Sequence, residues 1–187
     1  MKKLINVAMA SVLGLSVVGV SQAAIPSNQG SGTVIFKGQI IDAPCSIAPE
    51  STNKVVEFGD LSTHVLTNKG KSVPFSIKLE NCDLAELRQK TGGKNTLKNI
   101  VNIAFTGSAV SGKPYMLSTT GDTGVGIVIS VPGSGSYINM DGTPTPTAAF
   151  MNGKSEISLE ATALAAESNS VHPGAFSATA NFLLNYE

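Results

Sequence analysis

The segment from residue 176 to residue 186, at the end of the chain, alternates between apolar and mostly polar side chains. Successive side chains of a β-strand point to opposite faces, so such an alternation predicts a long amphipathic strand with one buried face. Polar or less bulky positions such as Ser177, Thr179 and Asn181 separate the apolar ones. The apolar face consists of Phe176, Ala178, Ala180, Phe182, Leu184 and Tyr186, and Gly174 precedes it in a predicted turn.

Shorter runs of the same period occur along the chain, and the 19 Gly and 9 Pro residues separate them with turns. A stretch at residues 83–89 predicts one or two helical turns at most. The strands number about six after Cys45, one fewer than the roughly seven of an immunoglobulin-like sandwich, so the domain is expected to be incomplete. The further apolar faces are Phe75, Ile77 and Leu79; Val101, Ile103 and Phe105; Val125, Ile127, Ile129 and Val131; Ile157, Leu159, Ala161 and Ala163; and a short run at 55–58.

The first 23 residues have the layout of a secretory signal peptide. Lys2 and Lys3 precede an apolar stretch at residues 4–20, and small residues follow up to Ala23. The alternative is a membrane anchor, but polar residues such as Asn6 interrupt the stretch, and it falls short of the ~20 residues that a spanning helix needs. We therefore predict an exported chain with a signal peptide at 1–23 and one domain after it.

The charge balance excludes two classes of partner. The signal peptide holds two of the 13 basic residues and none of the 13 acidic ones, so the mature chain has 11 basic residues and a net charge of −2. Such a balance does not attract nucleic acid or anionic lipid. We expect neither nucleic-acid binding nor direct membrane insertion of the mature chain.

The two cysteines, Cys45 and Cys82, predict one disulfide, because an exported chain meets oxidising conditions. Two buried free thiols are the alternative. Closing a loop over a separation of 37 residues contributes about 4 kcal/mol in the chain-entropy model.

No catalytic, metal-binding or cofactor-binding constellation is present in the sequence. His64 and His172 have no Cys or carboxylate companions at ligand spacing. The Gly-Lys-Ser runs at 70–72 and 153–155 lack the upstream glycine of a phosphate-binding loop. Among the hypotheses for the function, a periplasmic enzyme built on a β-sandwich therefore has the least support.

Between the signal peptide and the first cysteine lies an N-terminal extension, residues 24–42, whose second half predicts a strand. One face of that strand, here called the donor face, consists of Val34, Phe36, Gly38 and Ile40. Gly38 interrupts a bulky row at a point where a partner can approach the backbone closely. The alternative interpretation is an ordinary first strand of the domain, preceded by a poorly ordered N-terminal segment.

Several motifs resemble those of chaperone–usher pilins, most closely the major rod subunits of P-type pili. The run from residue 30 to residue 47, GSGTVIFKGQIIDAPCSI, is similar to the N-terminal extension and first cysteine of that family. Further landmarks are Glu80-Asn81-Cys82, Ala104-Phe105-Thr106-Gly107, Gly174 at the fourteenth position from the end, and the penultimate Tyr186. Their order and spacing carry the resemblance over the whole mature chain.

The resemblance implies an all-β, incomplete immunoglobulin-like sandwich, residues 43–187, that lacks its seventh strand. A periplasmic chaperone, and then the donor face of the next subunit at the outer-membrane usher, would fill the resulting groove. The residues 174, 176, 178, 180, 182, 184 and 186 would form the groove and chaperone-binding edge. The expected function is that of a structural fimbrial subunit, exported through the periplasm to the cell surface and supporting adhesion. A minor adaptor or tip-associated subunit that contacts a host ligand is the alternative.

Overall fold

A computed structural model describes residues 32–83, 85, 100–149, 151–167 and 171–186. The predicted signal peptide and most of the predicted helical stretch at 83–89 lie outside the described residues. The chain divides into two units, residues 1–40 and residues 41–187. Within the described ranges, no helix combines the length and the apolar character needed to cross a bilayer.

The described part of the first unit, residues 32–40, has no regular secondary structure, so the strand predicted for the second half of the N-terminal extension is not formed in the single chain. Its apolar side chains are exposed to solvent: Val34 is 74% exposed and Phe36 is 90% exposed. Ile40 is fully exposed. Because these bulky apolar side chains are exposed to solvent, they lack the burial that would stabilise a strand conformation.

The second unit contains nine strands and two short helices in its described residues. The second helix, α2 (Thr63–Asn68), begins after Ser62, whose Oγ accepts a hydrogen bond from the Val65 amide at 3.3 Å. The strands are β1 (Ser46–Ile47), β2 (Lys71–Cys82), β3 (Ile100–Thr106), β4 (Ala109–Val110), β5 (Lys113–Ser118), β6 (Val125–Ser130), β7 (Thr145–Ala149), β8 (Gly153–Ala165) and β9 (Asn181–Tyr186). The helices are α1 (Pro49–Thr52) and α2 (Thr63–Asn68).

Two antiparallel sheets form the fold. The larger sheet has the strand order β1-β2-β8-β6-β5-β4, and the smaller has the order β7-β3-β9. Alternate residues of both sheets meet in one core, in which Ile77 and Leu159 come from the larger sheet and Ile103 from the smaller. Each of these three side chains is at most 1% exposed. The molecule is thus an all-β sandwich, as the period-two pattern predicts.

The predicted disulfide between Cys45 and Cys82 is present, and both cysteines are buried in the core. The Asp83 amide donates a hydrogen bond to the Pro44 carbonyl oxygen at 2.8 Å, beside the bridge. The disulfide therefore ties the segment before β1 to the end of β2. The prediction of a Cys45–Cys82 bridge is confirmed.

Three predictions about the strands of the second unit are wrong in detail. The run at 55–58 is not a strand, because no ladder partner lies beside it among the described residues and Gly59 turns the chain at φ 68°. The C-terminal strand begins at Asn181 rather than at residue 176, because its neighbour β3 ends at Thr106, the residue paired with Asn181. The strand count of about six is also too low, since short edge strands such as β1 and β4 have too few residues to show a period.

Candidate functional site

An apolar groove lies along the C-terminal segment of the second unit. It consists of two adjoining cavities of about 550 and 1080 Å³, which share Val56, Phe58, Ile127, Ala178 and Ala180 among their lining residues. One side is formed by residues 171–182, here called the C-terminal wall. The other side is formed by residues 53–61, here called the opposite wall.

The floor of the groove is the core of the sandwich itself. Phe75, Ile77, Ile129 and Ala161 line the smaller cavity, and Val125 lines the larger one. These residues come from β2, β6 and β8 of the larger sheet. Phe75 is half-buried and the other four are buried, so the core of the sandwich lies directly beneath the groove.

The two walls are in contact through an aromatic pair. Phe58 of the opposite wall and Phe176 of the C-terminal wall have ring centroids 6.0 Å apart, at an interplanar angle of 47°. Both rings are half-buried. This tilted geometry is favourable for aromatic pairs, and it sets the separation of the walls at this point.

Hydrogen bonds to the loop between β5 and β6 hold the C-terminal wall in place. The Thr120 amide donates to the Ser177 carbonyl oxygen at 2.8 Å, and the His172 amide donates to the Thr123 carbonyl oxygen at 2.9 Å. A Cβ at Gly121 would lie 2.0 Å from the Ala175 carbonyl oxygen, so the two segments are too close for any larger residue there. The wall therefore stays extended although no ladder continues beyond Asn181.

Of the seven residues that the sequence predicts for the groove edge, five line the groove: Gly174, Phe176, Ala178, Ala180 and Phe182. Leu184 and Tyr186 continue the same face beyond the groove and pack against the core. Burial raises the pKa of Tyr186 to about 12. The sequence pattern thus finds one wall of the groove.

The opposite wall and the buried Thr123 are not predicted by the sequence pattern. Val56 and Phe58 belong to the run at 55–58, but that run predicts a strand of the sheet rather than a wall. Thr123, which lines the larger cavity, lies in a turn-rich stretch with no periodic signal. The signal available for Phe58 was that it is the one aromatic residue of the apolar run at 55–58.

The donor-face residues belong to the first unit, in which Val34, Phe36 and Ile40 are exposed. In the second unit, β9 is an edge strand whose only ladder partner among the described strands is β3. An edge strand beside an apolar groove presents unpaired backbone groups and uncovered apolar surface together. This combination can accept an added strand.

The described residues hold no group of three or more His, Cys, Asp or Glu side chains that could bind a metal. His64 and His172 are both exposed and lie on separate segments.

Comparison with known proteins identifies the family. Residues 34–187 match the family model described as fimbrial protein. The KS71A fimbrillin of Escherichia coli is 37% identical, and the Pap fimbrial major pilin protein of the same species is 36% identical; each alignment covers 98% of this chain and 100% of the relative. A subunit in a solved chaperone–usher pilus is 35% identical with a TM-score of 0.73, over 88% of this chain and 100% of that one. The sandwich is thus of the immunoglobulin-like type, and the chain belongs to the fimbrial protein family, whose members are structural pilins and not enzymes.

Proposed function

We propose that this chain is the repeating rod subunit of a surface fimbria and that it polymerises by donor-strand exchange after chaperone–usher export. The observation that carries the proposal is a complementary pair of surfaces. The second unit has an apolar groove beside the edge strand β9, and the first unit has an exposed apolar face of strand length. The groove lacks a strand to cover it, and the exposed apolar face lacks a surface against which it can be buried.

The magnitude of the burial supports a stable contact. Covering Val34, Phe36 and Ile40 at ~1.5–3 kcal/mol each gives about 5–9 kcal/mol before the cost of ordering the segment. A whole domain is stable by only ~5–15 kcal/mol. The free energy of this strand addition is therefore comparable to the free energy of folding of the subunit. A contact of this strength can hold the subunits in a fibre without a covalent bond.

The fold supports one direction and one register for the added strand. Every ladder among the named strands is antiparallel. Antiparallel pairing is also slightly more stable per residue than parallel pairing. One antiparallel alignment places the four donor-face positions opposite the four positions of the apolar face that bear a side chain within the C-terminal wall, residues 176, 178, 180 and 182. In it Val34 lies opposite Phe182, Phe36 opposite Ala180, Gly38 opposite Ala178 and Ile40 opposite Phe176.

A temporary occupant of the groove is required before assembly. An uncovered edge with Phe176 and Phe182 beside it is prone to aggregate, so a periplasmic chaperone that supplies a strand of its own would protect it. At the outer-membrane usher the donor face of the next subunit would replace that strand. Because donor and groove are different surfaces, the contact is heterologous, and it extends into a filament when it does not close into a ring.

The rod role is favoured over a minor adaptor or tip-associated role by the relatives that match the full chain. The Pap relative is named a major pilin, and it aligns over its whole length. A tip adhesin needs a second domain for its ligand, and the described residues after the extension form one sandwich.

Electron microscopy of cells that lack this chain, combined with gold labelling of the restored chain, tests the proposal. A rod subunit predicts the loss of filament shafts in the deletion strain and label along the full shaft on restoration. Shafts that persist in the deletion strain, with label confined to the tips of the restored filaments, would identify an adaptor instead.

A further inference from the structure

Thr123 has a buried hydroxyl group without a hydrogen-bonding partner. Its side chain is 2% exposed, and its Oγ1 is one of two buried side-chain polar atoms in the described residues that have no partner; the other is Asn102 Oδ1. Asn102 lies in β3 and lines neither cavity, whereas Thr123 lines the larger one. Buried polar atoms are nearly always satisfied, so the unpaired hydroxyl at the groove indicates a partner from another molecule.

Thr123 lies beside the start of the C-terminal wall. Its carbonyl oxygen accepts the hydrogen bond from the His172 amide. A Cβ at Gly174 would lie only 3.1 Å from Thr123 Cγ2, so the Gly174 backbone lies directly beside the threonine side chain. A side chain of an incoming strand that reaches position 174 of the wall would arrive next to Thr123.

The proposed register places one particular side chain there, and this step rests on the proposed function. Two residues after Ile40, on the same face of the donor strand, the next side chain is that of Asp42. When Ile40 lies opposite Phe176, Asp42 lies opposite Gly174. We propose that Thr123 Oγ1 donates a hydrogen bond to the carboxylate of Asp42 of the incoming copy. A hydrogen bond to an ionised acceptor is among the stronger kinds.

This hydrogen bond would fix the register of the strand. A slip of two residues keeps the donor face toward the groove, and Val34, Phe36 and Ile40 are similar enough for apolar contact alone to tolerate such a slip. The same slip moves Asp42 by about 7 Å along the groove, beyond the reach of Thr123. Asp60 and His172 also line this end of the groove, but both are exposed, so Thr123 is the group there that a partner would newly satisfy.

The test is a competition between two synthetic donor peptides of residues 32–44 for the full mature chain bound to its chaperone. One peptide has the natural sequence and the other carries Asp42→Ala, and mass spectrometry measures the ratio in which they are incorporated. Because both peptides meet the same acceptor, changes in the folding of the acceptor cancel. We expect the natural peptide to be preferred by about tenfold, the factor that corresponds to a hydrogen bond of this kind.

The acceptor variants decide whether Thr123 causes the preference. Thr123→Val removes the hydroxyl and should bring the ratio close to one, whereas Thr123→Ser keeps the hydroxyl and should retain the preference. Thr123→Ala replaces Thr123→Val if the valine variant does not fold. Equal incorporation by the natural acceptor, or an unchanged preference after removal of the hydroxyl, overturns the proposal. If no acceptor incorporates either peptide, the proposed donor-strand function fails as well, and that result is distinct from the other two.

Discussion

Phe182 of β9 is paired with Phe105 of β3, and their ring centroids lie 6.4 Å apart at an interplanar angle of 55°. Phe105 is buried in the core, whereas Phe182 is half-buried and lines the groove. The pair therefore connects the core of the sandwich to the surface that we propose as the strand acceptor. It also sets which face of β9 points inward, and hence which residues a chaperone or donor strand can meet.

The double substitution Phe182→Ala, Tyr186→Ala should impair capture by the chaperone, because it removes apolar surface from the groove edge. For Phe182, which is half-buried, we expect a loss of about 1–3 kcal/mol, less than the ~3–5 kcal/mol of a fully buried phenylalanine. Co-purification of the chaperone with the tagged chain measures the effect. Leu183→Ala is the matched control, since Leu183 lies on the opposite face and is 64% exposed. Undiminished capture of the double variant would exclude these residues from the chaperone site.

The donor face can be tested at Gly38. Gly38→Leu should leave the subunit able to fold with its chaperone but poor at polymerisation, since overpacking a filled interface costs ~1–3 kcal/mol. Lys37→Leu adds similar bulk on the other face of the strand and should do much less harm. In vitro strand exchange between purified chaperone complexes gives both rates. Equal rates for the two variants would show that the donor face or the donor segment is wrong.

Removal of the Cys45–Cys82 disulfide should lower the yield of exported chain. The chain-entropy model gives a loss of about 4 kcal/mol, a large part of the stability of one domain. Replacing both cysteines by alanine is preferable to a single substitution, because a single free thiol can form bridges between chains. Periplasmic yield and urea unfolding of the donor-filled subunit provide the measurements. Peptide mapping of the natural chain without reduction should find the bridge, and two free thiols would contradict it.

The raised pKa of Tyr186 predicts a loss of stability at high pH. Between pH 10 and about 12 the folded chain keeps the phenolic proton that the unfolded chain has released. Stability therefore falls with increasing pH in that window, and it is fully present below pH 10. Urea unfolding of the donor-filled subunit from pH 9 to 11 should show this fall, and Tyr186→Phe should reduce it. A fall of the same steepness in the variant would assign the pH dependence to other groups.

The alternation of apolar residues determined much of this structure from the sequence alone. It predicted the sandwich, the inward faces of β2, β3, β6 and β8, and the face of the C-terminal segment from Phe176 to Tyr186. Such a pattern is readable because the side chains of a strand alternate whatever the neighbouring strand is. The cysteine pair was equally readable, because an exported chain with two cysteines has one way to form an internal bridge.

Where strands begin and end was decided by tertiary pairing. β9 starts at Asn181 because β3 offers no partner beyond Thr106, although the apolar pattern continues back to Phe176. The segment at 55–58 has strand-like composition but no adjacent strand, and it became the opposite wall of the groove through the contact of Phe58 with Phe176. The hydroxyl of Thr123 became a candidate binding group only because folding buried it beside Gly174. A sequence records the period of its own side chains, whereas pairing and burial depend on residues that are distant in the chain and close only after folding.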